Sequence, residues 1–510
     1  MPRDLELGPP RDSSSGSSSS PREPANEPDP KRWIALGVIA IAQLMVVLDA
    51  SIVNIALPQA QKALAISDVD RQWVVTAYTL AFGGLLLLGG RIADFAGRKR
   101  MFIVGLIGFA GASALGGAAQ NAGMLFGARA LQGAFAALLA PAALSLITVT
   151  FTESKERAKA FGVYGAISGG GAAIGLIVGG VLTEYASWRW CLLVNVPIAA
   201  AAGLAAIPYV TESKAHGNTK YDLPGAILVT GGLVSLVYGF TEAAKQGVGW
   251  GAGSTLGFLG LSVVLLVAFV IVESRSATPL LPLRVVLDRN RGGSYASSLL
   301  VGAALFGMFL FLTYYFQINL GYSPLKSGFA FLPFSIGVII TAGVVSSVLP
   351  RTGPKPLMVL GTAAATVGLF LFTFLSNTSS WLTHVLPGEM LMSIGLALVF
   401  VPLSSLSLLG VAEHDAGVAS AMLNTSQQVG GSLGTALLNT FYASAVTAYL
   451  ADHVHTSADL AQQQPLALIH GYHVAFYIGV GLMVTALVII VALVNAKRDD
   501  VPAEAGAMAV

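Results

Sequence analysis

The chain has 510 residues, of which 55% are hydrophobic and only 11% charged, with a formal net charge of +2. An average soluble domain is roughly 25% charged, so this composition excludes an ordinary water-soluble globule and belongs to the bilayer class. The small balance excludes a strongly basic nucleic-acid binder, and the single cysteine, Cys191, excludes an internal disulfide and a cysteine-based zinc site.

Residues 1–32 are rich in Ser, Pro, Arg, Glu and Asp, and such a segment cannot bury a core; a disordered cytoplasmic tail is predicted. The first apolar stretch, 33–57, is far longer than the roughly 7–15 apolar residues of a signal peptide, so it should remain as a membrane helix. A helix needs about 20 apolar residues to cross the hydrocarbon. Fourteen stretches qualify: 33–57, 71–90, 101–119, 123–149, 159–184, 189–209, 223–242, 253–273, 293–316, 326–350, 356–376, 382–409, 416–445 and 472–495.

Charge sets their orientation, because Lys and Arg collect in the cytoplasmic loops. With the first residue inside, the outside loops carry only Lys62, Arg71, Arg189, Lys245 and Lys326, and Arg129 falls within a span. That asymmetry predicts an even number of spans with both termini cytoplasmic.

An internal repeat supports two related halves. The segment 94–105 aligns with 350–361, pairing Gly97, Lys99 and Gly105 with Gly353, Lys355 and Gly361. The predicted organisation is therefore a six-helix bundle over 33–211, an inserted helix pair over 222–273, a cytoplasmic linker over 274–292 along the membrane surface, a second six-helix bundle over 293–496 and a tail over 497–510.

Two ionisable residues stand inside spans. Asp49 lies about 24 Å from the inner end of the first span, and Arg129 about 9 Å from the outer end of the fourth, so their depths match. Ionisable groups buried in membrane helices are costly and mark transport or proton pathways. A static ion pair is the alternative. In the second half Glu389, Asn424, Gln428, Tyr315 and Gln317 place polar groups among Phe306, Phe309, Met392 and Phe400, a pattern that suits a cargo cavity. With Asn54, Tyr78 and Gln132 of the first half they form the candidate substrate contacts. His453, His455 and His470 fall in an expected solvated outside loop over 446–471 and His473 at the start of the next helix, and no metal is expected there.

The run Gly90-x-x-x-Asp94-x-x-Gly97-Arg98-Lys99 resembles the loop between helices 2 and 3 of major facilitator transporters. Leu48-Asp49-x-Ser51-Ile52-Val53-Asn54-Ile55-Ala56-Leu57-Pro58 and Arg129-Ala130-Leu131-Gln132-Gly133 are similar to motifs of the fourteen-helix drug:proton antiporter branch (EmrB/QacA type). Gly162, Gly171, Gly175, Gly179 and Gly180 match that branch's fifth-helix antiporter motif, with Leu176 where the motif has proline. The resemblance implies a major facilitator fold with an all-α integral membrane architecture of 6 + 2 + 6 helices. It also implies proton coupling by Asp49 and Arg129. Gly90, Asp94, Gly97, Arg98 and Lys99 would form a conformational latch, with Asp94 facing the helix that begins near Gly417.

No Gly-x-x-x-x-Gly-Lys-Ser/Thr phosphate loop and no His-Glu-x-x-His is present, so neither ATP-driven transport nor an intramembrane enzyme is expected, and no cofactor. The main expectation is a monomeric, proton-coupled multidrug exporter of amphipathic or cationic small molecules, multi-pass in a bacterial inner membrane and working by alternating access. Its partners would be its cargo, protons and lipid, without nucleic acid. A dedicated exporter of one metabolite or self-made antibiotic is the alternative, and a non-transporting sensor or scaffold a remote one.

Overall fold

The computed structural model of the protein describes residues 31–215, 221–276, 278–411 and 415–500. The expected tails over 1–32 and 497–510 therefore lie, except for their inner ends, outside the described residues. Every long element is a helix, and no strand occurs among the described residues: α1 (Arg32–Ala63), α2 (Trp73–Ala96), α3 (Arg98–Gly117), α4 (Ala122–Thr150), α5 (Ser154–Tyr185), α6 (Trp190–Leu193), α7 (Asn195–Tyr209), α8 (Leu223–Ala243), α9 (Gly253–Arg275), α10 (Leu283–Val286), α11 (Arg289–Tyr314), α12 (Pro324–Ala330), α13 (Leu332–Thr352), α14 (Pro354–Leu371), α15 (Leu386–Leu408), α16 (Ala416–His453) and α17 (Ser457–Leu493).

Among the described residues, 13 helices are long and apolar enough to cross a membrane, against the fourteen stretches read from the sequence. The difference is α16, whose Asn424, Thr425, Ser426, Gln427, Gln428, Asn439 and Thr440 dilute its apolar content. It packs against α2, α8, α11, α15 and α17, so much of its length is shielded by neighbouring helices and does not need lipid-compatible side chains.

The stretches 189–209 and 326–350 each contain a joint. Pro197 and Pro333 lack the N–H that would bond to Leu193 and Phe329, so α6 gives way to α7 at Val194 and α12 to α13 at Phe331. The expected loop over 446–471 is corrected: α16 continues to His453 and α17 starts at Ser457. A capping box starts α17, in which Thr456 accepts from the Asp459 N–H while the Asp459 carboxylate accepts from the Thr456 N–H.

Two sets of helices pack internally. In the first, α1 lies on α5 and α7, and α4 lies on α2 and α3; in the second, α11 lies on α16 and α17, and α15 on α13 and α14. The sets meet where α2 faces α16 and where α5 faces α12 and α13, while α8 touches both α2 and α16. α9 packs on α8, and only 17% of its most apolar window is buried. Ile107, Leu204, Ile227, Val264 and Leu360 are more than half exposed around the periphery. Apolar surface on that scale fits acyl chains rather than water.

The repeated segments build the same device twice. Gly97 (φ 119°) ends α2 and starts α3, and Gly353 (φ 78°) ends α13 and starts α14, both in a region L side chains rarely adopt. Two residues on, Lys99 Nζ donates to the Ile207 carbonyl (2.7 Å) and Lys355 Nζ to that of Val491 (3.0 Å), each near the end of the last helix of its set. Gly105 then lets α3 approach Leu139 of α4, as Gly361 lets α14 approach Leu398 of α15.

Gly97→Ala should lower the melting temperature of the detergent-solubilised protein, by a cost of about 1–3 kcal/mol for the strained backbone. The added Cβ would also meet the Glu212 carboxylate at 2.9 Å. Gly111→Ala, at an exposed helical site with nothing within 4 Å, should leave melting unchanged or raise it.

Candidate functional site

The most heavily bonded polar cluster in the first helix set centres on Asp49, which is fully buried. Its Oδ2 accepts from Arg129 Nη1 at 2.6 Å. Its Oδ1 accepts from Gln132 Nε2 at 2.9 Å and from Asn195 Nδ2 at 2.7 Å. Arg129 and Gln132 lie three residues apart on one face of α4, so one helix presents both donors. Asn195 reaches the carboxylate from the α6–α7 joint that Pro197 creates.

Arg129 has further holds. Its Nε donates to the Val74 carbonyl in the first turn of α2 (2.9 Å), and Nη1 also donates to Gln132 Oε1 (2.8 Å). The guanidinium lies over the Tyr78 ring, 4.4 Å from its centre. Gln132 Nε2 also donates to Ser113 Oγ of α3 at 2.7 Å. One carboxylate thus gathers α1, α2, α3, α4 and α7 around itself. A cavity of about 10 Å³ borders Arg129 among Val53, Val74, Trp188 and Cys191, far too small for a cargo molecule.

The hairpin between α2 and α3 is held within its own helix set. Asp94 Oδ1 accepts from Arg98 Nε (2.8 Å) and from Ser145 Oγ (3.4 Å). The Lys99 and Arg100 N–H groups donate to the Glu212 carboxylate, both at 3.1 Å, so a residue beyond α7 caps the N-terminus of α3. Gly90 lies against Pro141. A Cβ added at Gly417, the expected facing point of Asp94, would meet nothing within 4 Å.

The α5 glycines divide between two neighbours. Gly171, Gly175 and Gly179 let α5 press on Val47, Ser51 and Ile52 of α1, whereas Gly180 meets the Leu325 backbone of α12 in the second set. Gly162 faces open space. α5 runs unbroken through Leu176, whose carbonyl lies against Gly328.

The candidate cargo contacts are dispersed. Tyr78 and Gln132 belong to the Asp49 cluster. Asn54 Nδ2 bonds back to the Ala50 carbonyl (3.2 Å), and Tyr315 Oη donates to that of Ser376 (2.8 Å). Gln317 Nε2 crosses to the Ile55 carbonyl of α1 at 2.9 Å. Gln428 lies against Gly83 of α2, and Asn424 is exposed. Glu389 is fully buried in α15, and neither carboxylate oxygen has a hydrogen-bond partner.

Sequence reading missed Asn195, Ser113 and Glu212. Asn195 had a usable signal, as a lone amide two residues before a proline in an apolar span. The other two had none, because a serine among alanines and a glutamate in a polar gap are commonplace.

Comparison with known proteins gives the family of the chain. The sequence profile of the Major Facilitator Superfamily matches residues 39–435. The chain is 50% identical over 475 residues to the puromycin resistance protein pur8 of Streptomyces alboniger, spanning 92% of this chain and 93% of that one. It is 38% identical over 429 residues to the cephamycin export protein CmcT of Amycolatopsis lactamdurans (82% and 87% covered). It is 35% identical over 421 residues to the tetracenomycin C resistance and export protein of Streptomyces glaucescens (81% and 76% covered). Among solved structures, a bacterial homolog to the human lysosomal transporter Spinster superposes with a TM-score of 0.65 at 14% identity, covering 93% of this chain and 99% of that chain. That likeness concerns the fold alone.

Arg129→Ala should destabilise the protein by about 3–5 kcal/mol, because it strands a buried carboxylate. Adding Asp49→Asn should restore much of the loss. Melting of the two variants in detergent checks this, and equal melting of single and double variants would show that the lost charge pairing is not the cause.

Proposed function

The chain belongs to the major facilitator superfamily and is a multi-pass inner-membrane transporter of small molecules, not an enzyme, and we propose that it exports one antibiotic-like metabolite in exchange for protons. The observation that carries the proton part is the Asp49 carboxylate, sealed from solvent and held by donors from α4 and α7. A proton on Oδ2 removes the negative charge that Arg129 faces and leaves Oδ1 as a weaker, neutral acceptor for Gln132 and Asn195. It leaves the Arg129 cation without its counter-ion and favours a rearranged packing. Each charge moving through 100 mV supplies about 2.3 kcal/mol, enough to make one coupled proton useful.

The choice of a dedicated cargo over multidrug efflux rests on the relatives. The names of three of them each carry a single antibiotic: puromycin, cephamycin and tetracenomycin C. At 50% identity over nearly the whole chain, the pur8 relationship makes puromycin the first cargo to test. Glu389 supplies the recognition element in this reading. Its unpartnered carboxylate suits a cationic group on the cargo, since an isolated buried charge is stable only when paired.

The transport topology has fourteen spans, α16 included, with both termini cytoplasmic, and the α8–α9 pair inserted between two six-helix halves. The Lys and Arg asymmetry supports it. The halves rock about the midplane, Asp94 and Arg98 latch the cytoplasmic end in the outward-open state, and α5 moves against α12 of the other half at Gly180.

Asp49→Asn should reduce gradient-driven puromycin uptake into inverted vesicles to background while the protein still inserts and purifies. Uptake that survives both this change and collapse of the proton gradient would reject proton coupling. In a competition panel, unrelated dyes should fail to inhibit that uptake, and broad inhibition would restore the multidrug reading. Glu389→Gln should weaken export of a cationic cargo far more than of its neutral analogue, and equal losses would reject charge recognition.

A further inference from the structure

A second buried arginine stands outside that scheme. Arg71, in the turn before α2, is only 2% exposed, and its surroundings come from three separate parts of the fold. Its guanidinium carbon lies 4.0 Å from the centre of the Tyr314 ring on α11 and 4.7 Å from that of Tyr442 on α16. Its Nε donates to Asn439 Oδ1 on α16 at 3.2 Å, and Asp68 of its own turn lies 3.5 Å from Nη1. Asn439 in return donates to the carbonyls of Asp68 (2.9 Å) and Val69 (3.2 Å), while the Tyr314 hydroxyl donates to Gln61 at the end of α1.

The neighbouring residues extend the clasp to the inserted pair. Gln72 Nε2 donates to Thr241 Oγ1 of α8 (2.9 Å), and Thr440 Oγ1 of α16 donates to the Phe240 carbonyl of α8 (2.9 Å). First half, second half and inserted pair are therefore joined at one point, on the side that the charge asymmetry makes extracellular. The joint is not fully satisfied: Arg71 Nη2, Gln72 Oε1 and the Tyr442 hydroxyl have no hydrogen-bond partner. A cation held chiefly by ring faces and a few hydrogen bonds can be released to water without tearing a helix.

A short physical link connects this clasp to Asp49. The Val74 N–H bonds to the Arg71 carbonyl (3.2 Å), and the Val74 carbonyl receives Arg129 Nε (2.9 Å). Tyr78, one turn further along α2, lies beneath the same guanidinium. The first turn of α2 is thus gripped at one end by the clasp and at the other by the partner of Asp49.

We propose that Arg71 is the pin of the extracellular gate, clasping both halves and the α8–α9 pair in the outside-closed state, and that the first turn of α2 couples this pin to the Asp49–Arg129 pair. The proposal rests on the alternating-access reading above and makes Arg71 a positioning residue for transport. Opening outward withdraws Arg71 from between Tyr314 and Tyr442. A change at Asp49 reaches the pin through Arg129 and the Val74 peptide.

Spin labels at Lys62→Cys and Lys326→Cys, in a Cys191→Ser background, report the width of the extracellular seam by pulsed electron paramagnetic resonance in liposomes. Both sites are exposed, on opposite sides of the seam. The parent should populate mainly a short distance. Arg71→Ala should raise the long-distance population several-fold, Asn439→Ala should shift it the same way by less, and Arg71→Lys should restore part of the short population. Asp49→Asn should redistribute the two populations when Arg71 is present and have no effect in Arg71→Ala. Parental distributions in Arg71→Ala and Asn439→Ala would overturn the gate, and if Arg71→Ala does not fold, Asn439→Ala decides alone. Equal shifts by Asp49→Asn in both backgrounds would overturn the coupling. No cargo or gradient enters the measurement, so failure of the export assays would strike the proposed cargo and energy source and leave this result standing.

Discussion

A carboxylate that cannot reach water must find its donors within the protein, and this requirement at Asp49 organises the first half of the fold. Three donors from two helices satisfy it, and their own polar groups then need partners in turn. Arg129 reaches α2 through the Val74 carbonyl, and Gln132 reaches α3 through Ser113. A buried ion pair contributes little to net stability, since desolvation offsets much of its attraction, yet losing one member is costly. Such a pair is a poor structural rivet, and its integrity depends on both partners being present.

Helix-to-helix approach obeys a different constraint. Within lipid there is little hydrophobic drive between helices, so close backbone contact must come from small residues and specific bonds. The glycines of α5 serve that purpose, but they divide their contacts between α1 and α12. α5 therefore touches both helix sets, a natural place for movement between them. The twin hairpins at Gly97 and Gly353 are tighter: each locks a left-handed turn, a lysine-to-carbonyl bond and a glycine contact into one rigid corner. The corners stiffen each helix set, and the Gly180–Leu325 contact is where α5 meets the other set.

The α8–α9 pair is mostly lipid-facing but not a passive addition. Through Thr241 and the Phe240 carbonyl it holds α2 and α16 at one end. Gln72, which meets Thr241, stands two residues before Val74, whose carbonyl holds Arg129. α16 completes the picture: enclosed by neighbouring helices, it carries amides and hydroxyls that a lipid-facing helix could not.

Much of this was legible in the sequence. Apolar length and charge placement determined a helical, multi-pass membrane protein, because both follow from local chemistry and a fixed bilayer thickness, and the Gly90–Lys99, Asp49 and Arg129 motifs carried its resemblance to the superfamily. The same local rules singled out Asp49, Arg129 and Glu389 as residues that lipid alone would not tolerate. Other features depended on what lay opposite. The extents of α16 and α17 were misjudged because their polar outer turns are helical, α17 starting at a capping box and Tyr449 of α16 meeting Gln463 and His470 of α17. Asn195, Ser113, the Val74 carbonyl, the Glu212 cap and the clasp of Arg71 between two tyrosines were decided only by tertiary structure. Their partners lie tens to hundreds of residues away, and hydrogen bonds and ring contacts act over a few ångströms of space, a separation that no local pattern of residues encodes.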